Sequence, residues 1–305
     1  MIYPNRLKQG DTIGVIAPAG PPELANIKQA IPFFENLGLH VQLGKHVEQV
    51  HGYLAGSDEQ RLEDFHQMIA DPHINAIIFA RGGYGTGRIV PGIDYDLVKN
   101  NSKIIWGYSD ITYLHTAIRQ LTGLVTFHGP MVASDIGKED FDEFSGSMFK
   151  QLFEPTHLAY SEDISPLHVL STGKAKGQLV GGNLSLIAST MGTPYEIDMI
   201  DKILLIEDIG EEPYRVDSML NQLKLSGKLA EAAGIIVGDF ANTETKLSSS
   251  LTLEEVFLDY FANLDIPVMS GFQIGHCIPH FAVPLGAEAT LSTDEKALHI
   301  ASGVK

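Results

Sequence analysis

At 305 residues, 44% of them apolar and 19% charged, the chain has room for two ordinary domains, each with its own core. A formal charge of −17 without clustered Lys and Arg argues against a nucleic-acid partner, whose phosphates demand a basic face. No apolar run approaches the roughly 18 residues of a membrane span, and the one cysteine, Cys277, excludes an internal disulfide and fits a reducing cytoplasm.

Pro4, Asn5, Lys8, Gln9 and Asp11 break up the N-terminus, so a signal peptide is not expected and a cytoplasmic location is. Residues 12–17 read as a buried first strand that turns out through Pro18-Ala19-Gly20-Pro21-Pro22. The helix that follows carries Leu24, Ile27, Ile31, Phe34 and Leu37 at helical spacing and stops at Gly38; Pro32 inside it predicts a kink or a later start. A strand over 39–43 leads to Ser57-Asp58-Glu59-Gln60, a capping box that opens a helix through Leu62, Phe65 and Ile69. Residues 74–80 are another buried strand and run straight into Arg81-Gly82-Gly83-Tyr84-Gly85-Thr86-Gly87-Arg88. The third unit is the strand 104–106, the turn Gly107-Tyr108-Ser109-Asp110, and a helix with Ile111, Leu114, Ala117, Ile118 and Leu121 on one face, ending at Gly123. Residues 124–127 are a candidate fourth strand. Strands alternating with helices predict a parallel sheet with helices on both faces.

The pattern changes near residue 150. Residues 153–172 carry Pro155 and Pro166 without clear periodicity and are assigned as a linker between an N-terminal domain (1–152) and a C-terminal domain (173–305). Beyond it the sequence predicts a strand over 174–180, a turn at Gly181-Gly182-Asn183, a helix over 184–191 and a buried strand over 203–206. A helix over 213–226 follows, with Val216, Met219, Leu220 and Leu223 on one face and Gly227 as its stop. Then come a strand over 234–238, a polar loop over 241–250, a helix over 252–262 and a strand near 267–269. From about 281 the tail alternates in short β-like pieces.

Four stretches carry groups able to do chemistry. Strand, sharp turn and helix around Ser109 are the geometry of a nucleophile elbow, although Ile111 stands where the usual pattern has a second Gly; the alternative is that Ser109 or Asp110 only caps the helix. The loop 82–87 lacks the register of a dinucleotide fingerprint and the Lys-Ser/Thr of a P-loop. It remains an oxyanion hole, a phosphate site or merely a tight connection, since glycines let backbone N–H groups approach a ligand. Glu207 and Asp208 end a buried strand, where acids are also commonly just solvated. The run Gly275-His276-Cys277-Ile278-Pro279-His280 makes a poor metal site, because Pro279 disfavours a helix and a second ligand cluster is lacking. Cys277 has no elbow beside it.

Taken together these residues resemble the LD-carboxypeptidase family of serine peptidases, which includes the enzymes giving immunity to microcin C-type antibiotics. The matching segments run the length of the chain: 16–20, 81–85, Gly107-Tyr108-Ser109-Asp110-Ile111-Thr112, His128-Gly129-Pro130-Met131, Gly181-Gly182-Asn183-Leu184, Gly192-Thr193-Pro194, Glu207-Asp208-Ile209 with Arg215-Val216-Asp217, and Gly275-His276 with Pro284-Leu285-Gly286. The resemblance implies an N-terminal parallel-sheet α/β domain, flavodoxin-like or class I amidotransferase-like, and a C-terminal mixed, β-rich α/β domain. It also implies a Ser109–Glu207–His276 triad closing across the domain interface, without metal or cofactor. Backbone N–H groups of Asp110 and of Gly82 or Gly83 would form the oxyanion hole, and Arg81, Tyr84, Gly182 and Asn183 would bind substrate.

The substrate so implied is murein tetrapeptide, losing its terminal D-alanine in peptidoglycan turnover, and the implied assembly is a homodimer. A peptidyl-nucleotide amidase is the alternative within the family, and a non-catalytic two-lobed binding module the alternative outside it. The immunity branch holds its adenine with a tryptophan from a longer loop in the second domain. Here the single tryptophan is Trp106, and the second domain offers Tyr195 at the corresponding connection.

Overall fold

A computed structural model describes residues 1–245 and 249–305. Part of the expected polar loop, residues 246–248, lies outside the described residues. The chain divides into two units: residues 1–156 with 281–286 and 302–305, and residues 157–280 with 287–301.

In the first unit the elements are β1 (Thr12–Ile16), α1 (Leu24–Asn36), β2 (His40–Leu43), α2 (Asp58–Ala70), β3 (Ile74–Phe79), α3 (Thr86–Ile89), α4 (Tyr95–Asn100), β4 (Ile104–Trp106), α5 (Thr112–Thr122), β5 (Thr126–His128) and α6 (Glu143–Ser147). Strands β1 to β5 are parallel in the spatial order β5-β4-β3-β1-β2. That is the flavodoxin-like winding, in which ligands gather at the carboxyl ends of the strands. Ile13, Val15, Ile77, Phe79 and Ile104 are fully buried on this sheet, and Trp106 stacks on Phe149 with ring centroids 4.3 Å apart.

Local signals set several of these elements. Ser57 and Gln60 exchange both bonds of the capping box at the start of α2. Helix α1 runs unbroken through Pro32, neither starting late nor ending there; Ile27, Ala30 and Phe34 are buried, and that packing outweighs one missing backbone bond. Helix α5 is buried on nearly every side, except that Leu121, expected on the buried face, is half exposed near its last turn.

In the second unit follow β6 (Leu158–Tyr160), β7 (His168–Ser171), β8 (Lys174–Asn183), α7 (Leu184–Thr190), β9 (Ile203–Ile209), α8 (Pro213–Leu225), α9 (Lys228–Glu231), β10 (Gly234–Ala241), α10 (Leu253–Phe261) and β11 (Val268–Ser270). The chain then gives β12 (Val283–Leu285) to the first unit, antiparallel to β5, and returns with β13 (Glu288–Ser292) and β14 (Ala297–Ile300). The second sheet has the order β6-β14-β13-β8-β9-β10-β11-β7. Its centre, β8 to β11, is parallel and its flanks are antiparallel. Apolar side chains of β9 and β10 pack with α7, α8 and α10 in one core that includes Leu204, Ile206, Val216, Leu220 and Phe261.

Two expectations change here. The stretch 153–172, expected to be a linker, supplies β6 and β7, whose partners lie more than 90 residues away in sequence (Leu298↔Tyr160 and Val268↔Ser171). The expected turn at 181–183 is instead the end of β8, with Gly181, Gly182 and Asn183 in register with Leu205, Ile206 and Glu207.

Candidate active site

In the first unit, β4 delivers the chain to a turn in which Ser109 has φ +64°. A left-handed conformation costs a non-glycine residue about 1–3 kcal/mol and persists only where its surroundings enforce it. Here the enforcing contacts are explicit. The Asp110 carboxyl accepts the Thr86 N–H at 2.9 Å, and the Thr86 hydroxyl donates to the Asp110 carbonyl at 2.6 Å. His115, one turn into α5, reaches the Gly107 carbonyl through Nε2 at 2.7 Å. A carbonyl only accepts, so Nε2 bears the proton, and burial holds the ring neutral by pushing its pKa down to about 3. Burial also pushes the Asp110 carboxyl up to about 6, against the bond from Thr86.

The glycine loop after β3 packs directly on this turn. A Cβ on Gly82 would sit 3.0 Å from both Cβ and Oγ of Ser109 and 3.4 Å from the Asp110 nitrogen, so only glycine lets the two backbones approach this closely. Gly82, Ser109 and Asp110, singled out in the sequence, thus come together in one unit; Gly83 follows with φ +119°. Arg81 donates to the carbonyls of Pro21 and Gly82, both at 3.3 Å. Tyr84 is largely exposed, its ring edge-on to Tyr53 with centroids 5.7 Å apart.

In the second unit, Glu207 stands at the end of β9 with its side chain fully buried, and its Oε2 lies 2.8 Å from Nδ1 of His276. An ionised carboxylate only accepts, which assigns the proton to Nδ1 and leaves Nε2 as the basic nitrogen. Asp208 points elsewhere. It accepts from Asn183 Nδ2 (2.9 Å), from the Ser185 N–H and hydroxyl (both 2.8 Å) and from the Ile209 N–H (2.8 Å). Burial, then the neighbouring Glu207 charge, raises its carboxyl above the usual range. Asn183 is buried; besides donating to Asp208 it caps α7 by accepting the Leu186 N–H at 3.2 Å. Gly182 lies in the same strand end, opposite Ile206. Cys277 is half-buried and in no disulfide. Among the described residues no group of three or more His, Cys, Asp and Glu is arranged to hold a metal ion, and no helix is long and apolar enough to cross a membrane.

Two residues escaped the sequence reading. Thr86 reads in the sequence only as part of a glycine loop, although its backbone and hydroxyl hold the Ser109 turn. Asp239, two residues before the end of β10, has its carboxyl raised by burial and then by Glu207, with His276 opposing. Its signal was an apolar strand ending in an acid, the same pattern as Ile206-Glu207.

A doubly wound unit with a strained serine and a mixed-sheet unit with a carboxylate–imidazole pair contain hydroxyl, carboxylate and imidazole groups of the kinds hydrolases use. Sequence comparison makes the assignment specific: the chain belongs to the LD-carboxypeptidase family. The family's N-terminal domain matches residues 13–129 and its C-terminal domain residues 176–291. A probable murein peptide carboxypeptidase of Bacillus subtilis is 55% identical over 99% of this chain and 95% of its own length. The solved muramoyltetrapeptide carboxypeptidase of Oxalobacter formigenes has the same fold, with a TM-score of 0.86, 30% identity, and coverage of 96% of this chain and all of its own. The microcin C7 self-immunity protein MccF of Escherichia coli is more distant, at 26% identity over 96% of this chain and 94% of its own length. The chain is therefore an LD-carboxypeptidase-family hydrolase.

Proposed function

We propose that this protein hydrolyses the bond to a terminal D-amino acid and that its substrate is murein tetrapeptide, which loses D-alanine. The observation that carries this reading is the 55% identity, over nearly the whole of both chains, to a probable murein peptide carboxypeptidase. In the mechanism Ser109 is the nucleophile. His276 Nε2 takes the hydroxyl proton as Oγ attacks the scissile carbonyl, then delivers that proton to the departing amine. Glu207 fixes the tautomer and stabilises the imidazolium. Water repeats the sequence on the acyl-enzyme and restores Ser109. The backbone N–H groups of Asp110 and of Gly82 or Gly83 receive the oxyanion, each such donor being worth about 2.7–4 kcal/mol in the barrier. Arg81, Tyr84, Gly182 and Asn183 contribute to substrate binding, Asn183 through the position it fixes rather than as a loose side chain.

The peptidyl-nucleotide reading finds less support. Trp106 is fully buried, stacked on Phe149, and its indole N–H donates to the Pro130 carbonyl at 2.7 Å, so it offers no face to an adenine. We extend the reading to a cytoplasmic homodimer, in keeping with the single cysteine; light scattering on the purified protein tests the assembly. The enzymatic test compares D-alanine release from murein tetrapeptide with cleavage of an aminoacyl sulfamoyl-adenosine. The expected kcat/KM favours the tetrapeptide by more than tenfold and vanishes in Ser109→Ala; a tenfold preference for the adenosine compound overturns the assignment.

A further inference from the structure

Strand β10 does not pair evenly with β9. Val237 lies opposite Ile206 and Phe240 opposite Asp208, so three steps along β10 span two along β9, and the surplus residue falls opposite Glu207. Such a bulge re-aims side chains and is characteristic of strands beside active sites. Gly238 is confined to glycine by what surrounds it: a Cβ there would lie 2.3 Å from the Ile274 carbonyl oxygen and 3.2 Å from Cβ of Glu207. The next residue, Asp239, donates its backbone N–H to that same Ile274 carbonyl at 2.9 Å. The bulge is thereby tied to the segment that leads through Gly275 to His276. The Asp239 carboxyl is half-buried, lies within electrostatic reach of both Glu207 and His276, and makes no side-chain hydrogen bond among the described residues. It lines a cavity of about 390 Å³ with Phe240, Phe257, Phe272 and Gln273.

We infer that Asp239 is a positioning residue for His276: a second carboxylate, carried on the bulge, whose charge stabilises the imidazolium formed when His276 receives the serine proton. The inference rests on His276 acting as the base proposed above. Glu207 from β9 bonds the ring at Nδ1. Asp239 from β10 acts through space, and its half-buried position weakens the screening of that action without abolishing it. The other titratable groups around these residues are Asp208, beside Glu207 in sequence, Cys277, beside His276, Tyr160, whose hydroxyl accepts the Gln273 N–H, and His168 of β7 and Glu254 of α10, which line the same cavity as Asp239. None of these carries a fixed positive charge that would offset the two carboxylates. An ionised Asp239 favours the protonated ring. Removing its charge therefore lowers the pH at which His276 becomes a competent base and makes it a weaker one.

The test compares wild type, Asp239→Asn and Asp239→Glu. D-alanine release from murein tetrapeptide is followed between pH 5 and 9, and the His276 ring is titrated by NMR, its signal identified by its loss in His276→Gln. In Asp239→Asn the acid limb of kcat and the ring titration should both move down by about half to one pH unit. The plateau kcat should fall by about the matching three- to tenfold, with KM within twofold. Asp239→Glu should restore most of both. A folded Asp239→Asn variant in which neither the limb nor the ring titration moves overturns the inference. If His276→Gln keeps full turnover, the proposed base is wrong, yet the ring titration still reports whether the Asp239 charge acts on His276.

Discussion

Glu207 and Asp208 are adjacent carboxylates at the end of one strand, and what they touch separates them. Glu207 meets an imidazole, whereas Asp208 accepts four hydrogen bonds that join the ends of β8 and β9 to the start of α7. Glu207→Gln should leave the fold intact and lower kcat by about 10³–10⁴, because the amide stabilises neither the tautomer nor the imidazolium. Asp208→Asn should do the reverse. One amide nitrogen cannot accept the bonds that an oxygen did, so unfolding free energy should drop by about 1–3 kcal/mol while kcat stays within tenfold. Urea denaturation and steady-state kinetics on both variants separate the two effects. A greater loss of turnover in Asp208→Asn would reverse the assignment.

At the scale of elements, the β4–turn–α5 unit is held by a group whose ionisation works against it. Asp110 has its carboxyl raised from 3.8 to about 6 in the folded protein, chiefly by burial. A raised carboxyl means that the folded state holds the proton more tightly than the unfolded chain. Its stabilising contribution is thus complete below about pH 4 and lost as pH rises through about 6. The two-unit difference corresponds to roughly 3 kcal/mol. Asp110→Asn keeps an oxygen for the Thr86 N–H and carries no charge to bury. The variant should therefore gain stability relative to wild type as pH goes from 4 to 8, by up to about 3 kcal/mol; thermal melts at the two pH values measure it, and an unchanged difference refutes it. The elements themselves were legible where the signal was local, as in the Ser57 capping box and the Ser109 turn. They were illegible where distant partners decided them. The glycines at 181 and 182 read as a turn, yet pairing with Leu205 and Ile206 makes them strand, and β6 and β7 carry too little pattern to show without β14 and β11 beside them. Asp239 was missed for the same reason, because a bulge is a property of two paired strands.

At the scale of the whole molecule, the chain leaves the first unit after residue 156 and comes back to it twice, with 281–286 and 302–305. A boundary drawn once along the sequence cannot express that, which is why a division at 153–172 followed by a single C-terminal domain misses two segments. The returning segments complete the first unit's edge. Strand β12 covers β5, the Lys305 N–H donates to the Pro4 carbonyl and the Arg6 N–H to the Lys305 carbonyl, both at 3.1 Å, and Val304 is buried. Gly303 lies so close to Phe127 that a Cβ there would sit 2.5 Å from the ring. Two backbone bonds at about 0.5–1.5 kcal/mol each and one buried valine at about 1.5–3 kcal/mol put the segment at roughly 2.5–6 kcal/mol. Deleting residues 302–305 should accordingly loosen the first unit selectively. By hydrogen exchange, the amides of Ile2, Gly107 and Val125 should lose protection, while those of Ile235 and Ile236 in β10 keep theirs. Equal loss in both sets would mean that the last four residues support the second unit as much as the first, and unchanged protection in both would mean that they stabilise neither.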